Sequence, residues 1–223
     1  MLSLTHRRGF RRQRLVAGSF IVIGFVLAAA AAGLIIHDHA VRPRPPADSL
    51  RTSSAPSSKK PSAAAVNSYR VAPDLPKYLS IPAISVPKTR VMQLGVTKND
   101  QIATPNNIYN AGWYNRSAKP GQNGAMFIYG HVSSWQADGV FYNLKKLKAG
   151  DTVSITRGDN KTFTYQVVSS KIYDYRQVNM NQVLAPINAG KPGLNLMTCT
   201  GQVIKGTSEF NQRLVVFTSL ASS

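Results

Sequence analysis

Cysteine is nearly absent from this sequence: among 223 residues there is one, Cys199. A lone cysteine excludes an intramolecular disulfide and cannot supply a thiolate metal site by itself. Acids are scarce too, with nine Asp and Glu against 27 Lys and Arg, for a formal net charge of +18. Histidine is scarce where it matters most. His6, His37 and His39 precede residue 73, which leaves His131 as the only imidazole beyond that point. There is no internal repeat and little helical periodicity. The basic total comes without a basic helix, and few aromatics accompany the lysines, so nucleic acid is not the expected partner. A positive face turned toward an anionic membrane or cell wall explains the same charge.

What is present divides the chain into four parts. Residues 1–14 hold Arg7, Arg8, Arg11, Arg12 and Arg14. Residues 15–36 follow without a single charge. At about 1.5 Å per helical residue that run spans roughly 33 Å, enough for a bilayer core. It exceeds the h-region of a cleaved signal peptide, so an uncleaved anchor is expected. Arginines ahead of the span place the N-terminus in the cytoplasm and the remainder outside. Residues 37–72 are rich in Pro, Ser and Ala, including Arg42-Pro43-Arg44-Pro45-Pro46. Such a segment reads as an extended, disordered spacer. Residues 73–223 form the folded domain.

That domain has a β pattern. Apolar or alternating runs recur at 78–86, 90–96, 125–132, 152–157, 162–169, 171–175, 194–199 and 213–219. Turn chemistry separates them, as at Lys119-Pro120-Gly121 and Arg157-Gly158-Asp159-Asn160. These runs predict an all-β fold, a closed barrel or sandwich of about eight strands. Short helices are expected near 143–148 and 179–184.

Three reactive side chains stand at the ends of these strands. Leu194-Asn195-Leu196-Met197-Thr198-Cys199 runs into Thr200-Gly201. His131 ends Ala125-Met126-Phe127-Ile128-Tyr129-Gly130, and Arg213 opens Leu214-Val215-Val216-Phe217. A thiolate is accessible near neutral pH and attacks an amide carbonyl. An imidazole returns a proton to the departing amine. A guanidinium steadies an oxyanion or holds the substrate backbone. Taken singly, a lone cysteine is a small buried hydrophobe, a lone histidine a structural residue and Arg213 a solvated charge. The coincidence of all three at strand ends favours acyl transfer. The order His before Cys excludes a papain-like arrangement, and a caspase-type Gln-Ala-Cys context is absent.

Residues from about 76 to 219 resemble the sortases, cysteine transpeptidases of bacterial surfaces. Leu196-Met197-Thr198-Cys199 is similar to their Leu-x-Thr-Cys signature, Gly130-His131 to their histidine strand, and Arg213 to their catalytic arginine. Tyr78-Leu79-Ser80-Ile81-Pro82, Ala111-Gly112-Trp113-Tyr114 and Val140-Phe141-Tyr142-Asn143-Leu144 fit as well, and these flanks look most like class F, with classes D and E next. The resemblance implies an eight-stranded sortase-type barrel with one or two short helices, preceded by the transmembrane helix and the linker. It implies Cys199, His131 and Arg213 as catalytic residues, a substrate wall in residues 174–193 that includes Val183, Leu184 and Ile187, and Thr198, beside the nucleophile, as a further substrate-binding residue. The implied reaction cleaves a Leu-Pro-x-Thr-Gly-like sorting signal between Thr and Gly. A Cys thioester then passes the acyl group to an amine of a cell-wall precursor or pilin. No cofactor is implied. The acids are too few in the first part of the domain to support a calcium site, and no Asp-Pro-aromatic lid precedes it. Two other readings compete: a purely hydrolytic cysteine peptidase, and a non-catalytic barrel that binds wall polymer.

Overall fold

The computed structural model describes residues 55–222. The expected membrane anchor at 15–36 and the first part of the expected spacer lie outside them. Among the described residues no helix is long and apolar enough to cross a membrane.

Eight strands close into a barrel: β1 (Pro76–Ile81), β2 (Val86–Leu94), β3 (Ala111–Tyr114), β4 (Ala125–Gly130), β5 (Thr152–Arg157), β6 (Thr162–Asp174), β7 (Gly193–Val203) and β8 (Phe210–Ser222). Around the barrel the order is β1-β2-β3-β4-β7-β8-β6-β5. Most neighbours are antiparallel, but β2–β3 and β4–β7 are parallel. The alternation of side chains sorts the apolar residues into two clusters. Inside lie Met126, Ile128, Leu194, Leu196, Leu214 and Val216 with residues of the other strands. Outside, Phe127, Tyr129, Met197, Val215 and Phe217 form a second cluster, roofed by the connection from β6 to β7. Strand β4 is buried along its whole length because both of its faces are covered.

Eight strands were expected and eight are found, but not the same eight. The run at 78–86 is cut by a 3-10 turn, Pro82–Ile84, and by Ser85 at φ 56°. The runs at 162–169 and 171–175 are one strand, β6, whose pairing with β8 shifts register between Val167 and Ser169. Strand β3 was not anticipated as one, being only four residues long with a glycine. The helix expected near 143–148 is a 3-10 turn, Leu144–Lys146. The one near 179–184 is a short α-helix that follows α1 (Ala63–Asn67) and is termed α2 (Met180–Val183), capped by the Asn179 side chain.

The end of the expected spacer is ordered, which corrects the reading of 55–72 as disordered. Ser62 caps α1 by accepting a hydrogen bond from the Ala65 N–H at 3.1 Å. Ser57 is paired with the backbone at 106–108, and Asn107 Nδ2 donates to the Lys59 carbonyl at 2.8 Å. The Tyr69 hydroxyl donates to the Val91 carbonyl and the Tyr78 hydroxyl to the Val66 carbonyl, at 2.8 and 2.6 Å. The helix itself buries no residue. This strap is held largely by polar groups, so a composition lacking large apolar residues did not reveal it.

Candidate active site

Strands β4, β7 and β8 are consecutive in the barrel, and the thiol strand is the middle one. Cys199 on β7 is paired directly with Arg213 on β8. Directly opposed residues share a face, with Cβ atoms about 4.5–5.5 Å apart. On the other side Tyr129 of β4 is paired with Met197 in the parallel ladder. Two residues further along these strands stand His131 and Cys199. The structure therefore brings the three expected catalytic residues, distant in sequence, into one row. Cys199 packs against the outer cluster.

The histidine is oriented by backbone. Its Nε2 lies 2.8 Å from the Pro105 carbonyl oxygen. A carbonyl only accepts, so Nε2 carries the hydrogen and Nδ1 keeps its lone pair. The loop beyond folds tightly back: Phe141 N–H donates to the His131 carbonyl at 3.0 Å. Gly139 permits this, since a Cβ there would stand 2.3 Å from the same carbonyl oxygen. After Cys199 the chain turns at Gly201, φ 82°, where a Cβ would meet the Asn211 side chain.

The half-buried thiol has one hydrogen-bond partner, the Tyr129 hydroxyl at 3.0 Å. Burial pushes the Cys199 thiol up; the Tyr129 bond and the Arg213 charge oppose this, and Glu209 adds to it. Burial pushes His131 down, opposed by the bond to Pro105. Both groups shift toward neutrality. These shifts favour the neutral pair, thiol and imidazole, at rest. Tyr129 is pushed well above the ordinary phenol range, chiefly by burial and then by the neighbouring Cys199.

Arg213 is held rather than solvated, with 14% of its side chain exposed. Its Nη1 donates to the carbonyls of Phe210 and Gln212, and its Nη2 to Glu209 at 3.0 Å. Three of its five N–H groups are thus taken, which leaves two for a substrate oxygen.

Thr198, expected beside the substrate, has a different task. It is 2% exposed, and its hydroxyl donates to the Gly130 carbonyl at 2.8 Å, tying the nucleophile strand to the histidine strand. Of the expected substrate wall, Val183 is fully buried in the outer cluster. Leu184 packs at the edge of that cluster, and Ile187 is 39% exposed. The connection is pinned by Asn195, whose Nδ2 donates to the carbonyls of Val183 and Ala185 at 2.7 and 2.9 Å.

A cavity of about 190 Å³ opens beside Cys199, lined by Val132, Ser133, Tyr142, Lys145, Gly201 and Phe210 among others. A larger one, about 310 Å³, lies between the 55–72 strap and β2 and contains no nucleophile. Cys199 lines the smaller one, and His131 and Arg213 line neither. Tyr129, Pro105, Glu209 and Asn195 were missed from sequence. Only Tyr129 carried a signal: a polar tip in an apolar strand, two residues before His131.

A family model described as the sortase domain matches residues 79–221. No curated protein matches. Among solved structures, sortase C from Streptococcus pneumoniae is 22% identical with a TM-score of 0.51, over 79% of this chain and 83% of that one. Sortase A from Corynebacterium diphtheriae is 24% identical with a TM-score of 0.50, over 67% of this chain and 61% of that one. These likenesses concern the fold. The family match covers well over half of the chain, which belongs to the sortase family of cysteine transpeptidases.

Proposed function

We propose that this sortase-family chain is a membrane-anchored transpeptidase that uses Cys199, His131 and Arg213 to move a Leu-Pro-x-Thr-Gly-like sorting signal onto an amine. The observation that carries the reading is the row of the three side chains across β4, β7 and β8. The thiol proton passes to Nδ1 of His131, and the sulfur attacks the Thr carbonyl carbon. The imidazolium then returns the proton to the departing Gly nitrogen as the C–N bond breaks. The bond from Nε2–H to Pro105 supports the imidazolium while it exists. The two N–H groups of Arg213 left unengaged by Phe210, Gln212 and Glu209 would hold the carbonyl oxygen as its charge develops. Leu184 and Ile187 lie on the connection that would flank the peptide. The cavity beside Lys145 and Phe210 gives a second approach to the sulfur, where an amine from a cell-wall precursor or a pilin would resolve the thioester.

Pilin substrate specificity is described for the Streptococcus pneumoniae sortase C, and a pilin amine is one acceptor that the proposed reaction could use. The flanking motifs support class F as the finer assignment. The charge-free run at 15–36 behind five arginines supports an N-in anchor with the barrel outside the cell.

The test is mass spectrometry of Leu-Pro-x-Thr-Gly peptides incubated with the full-length protein, with and without amine acceptors. Cleavage after Thr, a Cys199-linked acyl adduct and amine-dependent ligation are expected, all lost in a folded Cys199→Ala variant. Cleavage that persists in that variant would end the proposal.

A further inference from the structure

The geometry points to Tyr129 as a fourth catalytic residue, a fixed O–H donor to the Cys199 sulfur that stabilises the thiolate during acylation. The inference rests on Cys199 being the nucleophile.

Three observations converge on it. The Tyr129 hydroxyl and Cys199 Sγ are 3.0 Å apart, and this is the thiol's only hydrogen bond among the described residues. For a bond to sulfur that distance is close. The ring is fixed: Tyr129 is 8% exposed, lies in the outer cluster with Phe127 and Met197, and meets the His131 ring edge-on, 6.2 Å between centroids at 78°. The site also has a need for such a donor. His131 spends its Nε2–H on Pro105, and Arg213 shares its charge with Glu209. Neither forms a hydrogen bond to the sulfur in this arrangement.

The charged and titratable groups facing the thiol are Tyr129 and His131 from the β4 end, Arg213 from β8, Glu209 from the β7–β8 connection and Lys145 across the cavity. Among these, Tyr129 contacts the sulfur directly and is never a base. Its burial keeps the phenol protonated throughout the working range. As His131 Nδ1 takes the thiol proton, the bond to Tyr129 becomes charge-assisted and strengthens. When the C–S bond forms, the sulfur loses its charge and the bond weakens again. The Tyr129 proton stays on oxygen throughout, so no proton is gained or lost by this residue. Its contribution falls on the charge-separated step.

The test uses Tyr129→Phe in the full-length chain, which keeps the ring and deletes the hydroxyl. Because Cys199 is the only cysteine, iodoacetamide alkylation followed against pH reports on it alone. Loss of a hydrogen bond to a charged group should move the thiol titration about one to two pH units alkaline. Acylation by a Leu-Pro-x-Thr-Gly peptide should fall about ten- to a hundred-fold, with KM unchanged. An unshifted titration would overturn the proposal, whether or not turnover falls, since packing alone does not move that profile. Should Tyr129→Phe fail to fold, site-specific replacement of Tyr129 by 3,5-difluorotyrosine decides. This near-isosteric, stronger donor should move the titration the opposite way, and an unshifted curve there is equally fatal. The titration needs no substrate. A wild-type protein that alkylates as expected but acylates with no peptide would refute the proposed function and leave the Tyr129–Cys199 interaction standing.

Discussion

Two connections flank the nucleophile strand, and they are built differently. The one entering β7, residues 175–192, is anchored to the core through one buried residue, Val183, with Val178, Met180 and Leu184 partly buried beside it. Val183 is buried against Tyr129, Val215 and Phe217; Asn195 holds two of its carbonyls; and Tyr173 donates to Gln182 at 3.0 Å. The one leaving β7, residues 204–209, has no buried residue. It is closed by its own turn, Ile204 N–H to the Glu209 carbonyl at 2.8 Å, and touches the site through the Glu209–Arg213 ion pair. In the proposed reaction the first connection would be the peptide wall, which benefits from one geometry; the second would border the side from which acceptors arrive, which does not need it. Segments with few buried contacts open at low free energy.

The largest expected effect lies where the second connection meets the chemistry. Arg213→Lys keeps the charge but loses the planar fork, so acylation should drop about 10²–10³-fold, the cost of losing one oxyanion donor. Single-turnover acylation of the folded variant checks this. Near wild-type rates would mean that Arg213 supplies potential only, and that the loosely built side does not shape the site.

The next test concerns the anchored side. Asn195→Ala removes one buried and one part-buried hydrogen bond and leaves the Val183 and Ala185 carbonyls without them. That should cost about 2–3 kcal/mol of stability and raise KM for the peptide. A thermal melt paired with peptide kinetics reads both. A stable variant with unchanged KM would show that the wall does not depend on this pin.

A pH profile probes the shared centre. Acylation requires one proton on the Cys199–His131 pair. Below the histidine limb both groups are protonated; above the cysteine limb neither is. The imidazole is pushed down and the thiol up. The plateau of kcat/KM should therefore extend below pH about 6.5 and above about 8.5, with roughly ten-fold loss per unit outside. The two limbs belong to the pair. A narrow bell inside those bounds would contradict the neutral resting state.

The smallest effect is expected for Glu209→Gln. Its carboxylate is 60% exposed, and such pairs contribute at most about 1 kcal/mol. Stability should hardly change, and activity should rise modestly as Arg213 is released. A large loss of stability would mean that the exposed connection is held far more firmly than its burial suggests.

How much was legible in sequence follows the same division. Apolar alternation marks strands whose faces differ, and β5 was read to the residue. The row of Cys199, His131 and Arg213 was legible because each reactive side chain ends an apolar run. What lacked an apolar signature was missed. The 55–72 strap is held by hydroxyls and amides, and β3 is too short for periodicity. Val183, expected in the substrate wall, is fully buried, and a loop sequence does not say which of its side chains turns inward. Thr198 sits next to the nucleophile in sequence, but strand alternation sends its hydroxyl to Gly130, on the other side of the sheet from Cys199. Adjacency in a strand is opposition in space.

The barrel order also has a bearing on when the chain becomes active as it folds. Strands β4 and β7 are neighbours only after the chain between them has been laid down, and β8, last in sequence, seals the barrel between β7 and β6. Long-range pairings form slowly, because the entropy of closing the loop precedes the contacts that offset it. The thiol and the arginine sit on adjacent strands only fourteen residues apart, whereas the histidine reaches the thiol only through the long-range β4–β7 pairing. Until that pairing forms, the thiol lacks its imidazole. The strand order therefore ties completion of the catalytic row to one long-range contact.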